Sequence, residues 1–279
     1  MKHILKIGII LLVALTQFSC VNYYETLMKS NDVDLKYKAA FAYFEKGKFK
    51  KAAEVFENLT LATRGTPQED TVTYYTALSN YKYGDYATAE SNFAGFLEVF
   101  PTSPFAEESK FLRIKCLYES TYRYELDQTP TRKAMMIISE FMYDHPTSEF
   151  FPVCQSMMKE FMERLDKKSL EAAKLYYLME DYKASHYALK NVLKDNADNQ
   201  YREEVLYYTA LSSYKYALNS VKAKQKERYL AFVDDYYNFI SEYPSSENKK
   251  ELDNLFEKVQ SYTIKHNDVT ETAATPVKE

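Results

Sequence analysis

Four histidines, three cysteines and carboxylate pairs such as Glu107-Glu108 and Asp234-Asp235 are the groups in this 279-residue chain that could do chemistry. Their spacing offers little of it. No Cys/His cluster has zinc-ligand spacing. His3 lies in an apolar N-terminal segment, and His186 and His266 have no ligand-type partner nearby in sequence. His145 precedes Pro146 as Phe100 precedes Pro101 and Tyr243 precedes Pro244, which makes it structural. Glu107-Glu108 and Asp234-Asp235 sit on amphipathic stretches and read as solvated helix faces. Serine-rich turns such as Ser245-Ser246 lack a paired base. Five glycines, none beyond Gly95, cannot build a phosphate-cradling loop. No catalytic, metal or cofactor-binding residue is expected, and therefore no enzyme and no cofactor.

One thiol has a chemically suggestive context. Met1 to Lys6 carries two lysines, and Ile7 to Phe18 is almost wholly apolar. That run is shorter than the roughly 20 residues a membrane span needs. It fits the charged and apolar regions of a secretory signal. Cys20 follows directly after Ser19, an arrangement that resembles the lipobox of bacterial lipoproteins, with Gln17 and Phe18 in place of its usual residues. The resemblance implies that Cys20 becomes an acylated N-terminal residue, with several acyl chains giving a stable anchor. Val21 follows the cysteine where an Asp would retain the protein at the inner membrane, and no acidic cluster follows. The outer membrane, periplasmic face, is the expected place. Cys116 and Cys154 lie 15 and 8 residues after the prolines of equivalent turns. That offset is about 10 Å along neighbouring helices, beyond the roughly 7 Å a disulfide allows, so both are expected as free buried thiols.

The elements that hold these residues announce themselves by a recurring spacing. Ala52-x3-Phe56-x2-Leu59 returns as Ala89/Phe93/Phe96, Ala134/Ile138/Phe141, Ser185/Leu189/Val192 and Phe232/Tyr236/Phe239. A turn lies twelve residues past each first member, at Arg64, Pro101, Pro146, Ala197 and Pro244. Positions i, i+4 and i+7 share one helix face, and such copies with a breaker at fixed distance describe stacked helical hairpins. Pro is absent between Pro152 and Pro244, which leaves long helices undisturbed. The net charge of −4 speaks against a nucleic-acid binder or a polybasic membrane patch.

Hairpin one spans about Asp32 to Ala62 and hairpin two about Thr71 to Phe100, the latter with Ala77, Gly84-Asp85-Tyr86, Ala89, Phe93 and Pro101. These residues resemble the tetratricopeptide repeat, with small residues where helices cross, an aromatic after a Gly turn and Pro at the exit. In the third hairpin Thr129 is the expected N-cap, with Pro130 at the first helical position. A helix over about Ser148 to Glu180 joins two halves. Val205 to Tyr216 nearly repeats Val72 to Tyr83, with Tyr, Ala, Leu and Tyr on one face. A loop is expected around Lys222 to Glu227, and Leu252 to Tyr262 reads as a capping helix.

The expected organisation is a signal peptide over 1–19 and an anchored linker over 20–31. Hairpins one to three follow over 32–147, then a connecting helix with hairpins four, five and a cap over 148–262. The tail over 263–279 is polar, aperiodic and expected to be disordered. The fold class is all-α, a right-handed superhelical solenoid of about five hairpins with a terminal capping helix.

The anchor, the five hairpins, Tyr124-x2-Asp127-Gln128-Thr129-x2-Arg132-Lys133-Ala134, the exits Pro101-Thr102-Ser103, Pro146-Thr147-Ser148 and Pro244-Ser245-Ser246, and Leu175-Tyr176-Tyr177 together resemble the BamD family over roughly 20–262. The exit Asp195-Asn196-Ala197-Asp198 departs from the family's usual Pro. The resemblance implies a lipoprotein scaffold of outer-membrane β-barrel assembly. Its implied partners are the periplasmic domains of a BamA-like barrel protein, unfolded outer-membrane proteins and accessory lipoproteins, with the membrane reached through the lipid anchor only. In this repeat class the first helix of each hairpin lines the inner wall, which makes Tyr37, Phe41, Phe44, Tyr74, Leu78 and Tyr81 candidates for a partner groove. The competing reading is a periplasmic or surface repeat lipoprotein that binds glycan or cell-envelope proteins; the absence of Trp disfavours the glycan branch.

Overall fold

The computed structural model describes residues 23–272, with side chains to Tyr262. The signal peptide over 1–19, Cys20, the start of the linker and residues 273–279 lie outside the described residues. Helix α1 covers 23–29. It is followed by α2 (Val33–Glu45), α3 (Phe49–Leu59), α4 (Glu69–Tyr83), α5 (Tyr86–Val99), α6 (Ala106–Glu119) and α7 (Thr129–Asp144). Then come α8 (Phe151–Leu178), α9 (Tyr182–Asp195), α10 (Arg202–Leu218), α11 (Lys222–Glu242) and α12 (Lys249–Thr272). The described residues contain no strand.

The chain divides into two units, and the division falls inside α8. One unit is the chain up to Tyr122 together with Asp127–Met158, and the other is Arg123–Leu126 together with the chain from Lys159 onward. In the first unit each helix from α2 to α6 packs on its successor in sequence; in the second, α9 to α11 do the same. This is neighbour-on-neighbour stacking of helical hairpins, the tetratricopeptide pattern.

The periodic positions explain the stacking. Every member of the five spaced triplets, from Ala52/Phe56/Leu59 to Phe232/Tyr236/Phe239, is buried. The small residues let second helices approach first helices closely, and the rings fill the space between them. Leu27 of α1 joins Ala40, Phe56 and Leu59 in one cluster, so α1 covers the open side of the first hairpin. Tyr74, Ala77, Phe93, Phe96 and Cys116 form the next cluster. In the second unit Leu170 and Ala173 of α8 meet Leu189 and Val205. Leu252, Leu255, Phe256 and Val259 of α12 close the last cluster, as expected of a cap.

Helix ends follow local chemistry. Phe100, His145 and Tyr243 are the C-caps of α5, α7 and α11, with φ/ψ of −124/56°, −128/59° and −126/60°. Each lays its ring beside the aromatic four residues earlier, at 5.4, 5.0 and 5.9 Å between centroids. His145 is thus a structural member of this set. Three expectations are corrected. The tail expected to be disordered over 263–279 is helical as far as Thr272, where α12 ends. Helix α7 begins one residue earlier than expected: Gln128 is the N-cap, and Thr129 N–H and Oγ1 both turn back to Asp127 Oδ1. Lys222 to Glu227 is the first part of α11 rather than a loop. It contains no Gly or Pro, its Lys, Gln and Glu favour helix, and Lys224 pairs with Glu227 at 3.2 Å.

Candidate functional site

Helices α2 and α4 carry all six residues expected to form a partner groove. Both end in a tight left-handed turn, at Gly47 (φ 67°) and Gly84 (φ 92°). These turns let α3 and α5 fold back so that rings from α2 and α4 face one another. Tyr37 stands 5.0 Å from Phe41, whose ring meets Phe56 at 5.0 Å and Tyr75 at 4.7 Å. Phe44 meets Phe49 at 5.3 Å and Tyr75 at 5.2 Å. Tyr74 stacks flat on Phe105 at 4.3 Å. Tyr81 rests 5.7 Å from Tyr86.

These contacts divide the six residues. Tyr74 is 3% exposed and Leu78 9%, so both belong to the interior. Tyr37, Phe41, Phe44 and Tyr81 are half-buried and keep an edge in solvent. Burial, then a hydrogen bond to Glu108, pushes the Tyr74 phenol above its usual range. Burial does the same more weakly for Tyr37 and Tyr81. All three stay neutral hydroxyls, able to donate and accept. The arrangement offers flat apolar area with polar tips, suited to holding polypeptide.

Sequence spacing misses Tyr75. It touches Phe41, Phe44, Phe56, Tyr74 and Phe105, which places it at the centre of the aromatic cluster. Periodicity assigns one face of α4 to the interior. Yet Val72, Tyr74, Thr76, Ala77, Leu78 and Ser79 are all buried, because α4 is enclosed by neighbours on more than one side.

Spacing also misses a second grouping, which corrects the reading of Asp234-Asp235 as a solvated pair. Asp235 is 2% exposed, whereas Asp234 faces solvent. His186 Nδ1 lies 3.3 Å from Asp235 Oδ2, and Lys190 Nζ lies 3.0 Å from Oδ1. His186 therefore has a carboxylate partner, reached through the fold and invisible to sequence spacing. Burial pushes its imidazole below the ordinary value, against the upward pull of Asp235 and a backbone hydrogen bond at Thr209. Lys190, half exposed, supplies the counter-charge. With both His186 and Asp235 interior, the trio ties α9 to α11.

Cys116 and Cys154 are free and fully buried. Burial raises their thiols to about 12 and about 11, so neither is a nucleophile at neutral pH. Among the described residues no group of His, Cys, Asp and Glu could hold a metal ion, and no helix is long and apolar enough to cross a membrane.

Comparison with known proteins supplies a family. The model of YfiO, described as an outer membrane lipoprotein, matches residues 29–228, well over half of the chain. The chain belongs to the YfiO family of outer membrane lipoproteins. The YfiO match runs from the end of α1 into α11 and so takes in both aromatic helices and the whole of α8. None of the curated proteins matches the chain. Among solved structures, the TPR2AB domain of yeast Sti1 in its pHSP90 complex is similar at 14% identity, covering 82% of this chain and 98% of that one, with a TM-score of 0.40. A thermophilic TPR protein of Thermus thermophilus is similar at 13% identity, covering 82% and 99%, with a TM-score of 0.31.

Proposed function

We propose that this chain is a non-enzymatic scaffold of the BamD type, anchored by acylation of Cys20 to the periplasmic face of the outer membrane. On this reading it binds the periplasmic domains of a BamA-like barrel protein and receives unfolded outer-membrane proteins. The observation that carries the reading is membership of the YfiO family over residues 29–228. The half-buried rings of Tyr37, Phe41, Phe44 and Tyr81 supply the client surface. Exposed Leu175, Leu178 and Met179 at the end of α8 supply a second apolar surface for a subunit.

The test is affinity capture from solubilised outer membranes with identification of what is retained. Recovery of a large barrel protein carrying soluble periplasmic domains is the expected result. Recovery of glycan or of division proteins alone overturns the reading. Client binding is checked with a peptide copied from a barrel strand. Tyr37→Ala is expected to weaken it several-fold while leaving helicity unchanged, and unchanged affinity removes Tyr37 from the surface.

A further inference from the structure

The turn between α2 and α3 differs in charge from its counterparts, and the difference borders a cavity. Three turns share one geometry. Gly47, Gly84 and Glu180 adopt positive φ, and the next residue's N–H reaches back to the carbonyl of Tyr43, Asn80 and Tyr176. In two of them that next residue is an aspartate which caps the following helix: Asp85 accepts from Thr88 N–H and Asp181 from Ala184 N–H. In the first hairpin the position is Lys48, and no side chain caps α3. The carboxylate that the turn favours has been replaced by a cation.

Lys48 is not alone. Lys46-Gly47-Lys48-Phe49-Lys50-Lys51 holds four lysines in six residues, a local concentration that the chain's net charge of −4, which by itself speaks against a polybasic patch, averages away. Lys46, Lys48 and Lys51 line a cavity of about 420 Å³ with Tyr23, Tyr43 and two alanines, and no carboxylate lines it. That volume falls within the roughly 300–1,000 Å³ of small-ligand clefts. Lys51 Nζ stands 4.7 Å over the Tyr24 ring and 5.9 Å from that of Tyr43, so aromatic faces place its ammonium.

The position of this cavity along the chain identifies its occupant. Tyr23 comes three residues after Cys20. Three extended residues span at most about 11 Å. With Cys20 acylated, Tyr23 at the cavity wall stays within that distance of the anchored residue. We propose that it binds the phosphate groups of anionic membrane lipids, giving the first hairpin a second membrane contact beside the acyl anchor. The inference rests on the anchor at Cys20 proposed above. Each lysine near an anionic surface adds about fivefold to binding.

The test uses the full lipidated protein in vesicles of phosphatidylcholine, alone or mixed with phosphatidylglycerol. Lysine reactivity toward an amine-acylating ester is read residue by residue by mass spectrometry. Lys46, Lys48 and Lys51 are expected to react about tenfold more slowly in the anionic vesicles, while exposed Lys222 and Lys250 serve as references. Lys48→Asp, which restores the cap its counterparts use, should abolish the protection of Lys46 and Lys51 without loosening the fold. Equal rates in the two vesicle types overturn the proposal. Protection by added inorganic phosphate, with none from the anionic lipid, overturns the assignment to lipid. Flotation with neutral vesicles checks the anchor separately. If the protein does not float, capture by anionic vesicles that is lost in Lys48→Asp still supports the cavity, and no capture overturns it.

Discussion

Ser246 Oγ donates to Glu203 Oε1 at 2.7 Å, tying the exit of the last hairpin to the first turn of that hairpin's own first helix. Ser148 does the same to Glu107 at 2.6 Å, and Ser103 to Asp70 at 3.1 Å. Each serine oxygen also accepts a backbone N–H two residues on, from Asn248, Phe150 and Phe105. The Pro-Thr/Ser-Ser exits are therefore clasps that close each hairpin on itself. The fourth exit lacks Pro, yet Asn199 stands in the serine's place and accepts from Tyr201 N–H at 2.9 Å.

Ser246→Ala is expected to destabilise the second unit by about 1 kcal/mol, since it removes one donor and one acceptor at a half-buried site. Urea unfolding followed by far-ultraviolet circular dichroism checks this. No change in midpoint would show the clasp to be incidental.

The turn at Glu180 predicts a gain. Glu180 holds φ 62°, a conformation that glycine supplies at Gly47 and Gly84. A left-handed residue with a side chain costs about 1 kcal/mol, so Glu180→Gly should raise stability by up to that amount. Gly84→Ala should lower it by a similar or larger amount. A fall in midpoint for Glu180→Gly would refute the strain argument.

His186 makes stability depend on pH. Its folded pKa lies below the ordinary value, while the unfolded imidazole titrates near about 6.5. The unfolded chain therefore binds more protons in the interval between them, and stability falls as pH drops through about 6.5. His186→Gln should flatten that part of the stability–pH curve. Lys190→Met removes the nearest cation from the interior Asp235 carboxylate and should cost about 2 kcal/mol at neutral pH. An unchanged slope in His186→Gln would place the dependence elsewhere.

Cys116 and Cys154 should resist alkylation in the native state at pH 8, because both thiols are interior and protonated. Labelling is expected only through unfolding, so its rate should rise with denaturant. Rapid native-state labelling of Cys154 would contradict its burial.

Lys48→Asp carries a double expectation. It supplies α3 with the cap that Asp85 and Asp181 give α5 and α9, a gain of about 1 kcal/mol. It should at the same time weaken contact with anionic lipid. A thermal scan of the same variant used for lysine labelling reads the first effect, and a lower midpoint would remove the capping comparison.

Much of this protein can be read from its residues alone. The i, i+4, i+7 triplets name the buried face of each second helix, because a helix with one covered side repeats at 3.6 residues whatever it packs against. The prolines and their serines mark the exits, since Pro cannot continue a helix. What lies beyond reach is anything set by the packing of several helices at once. Asp234 and Asp235 are identical in type and adjacent in sequence, yet only Asp235 is interior, because α11 turns it toward His186 and Lys190 of α9. Tyr74 and Tyr75 look alike in sequence, but α4 is enclosed on more than one side, so Tyr74 is interior, Tyr75 packs half-buried against it, and a single-face periodicity does not tell them apart. Nor does spacing alone show that Lys46, Lys48 and Lys51 share one cavity with Tyr23. Proximity along the chain is encoded residue by residue, whereas the meeting of distant helices is decided only when the stack closes.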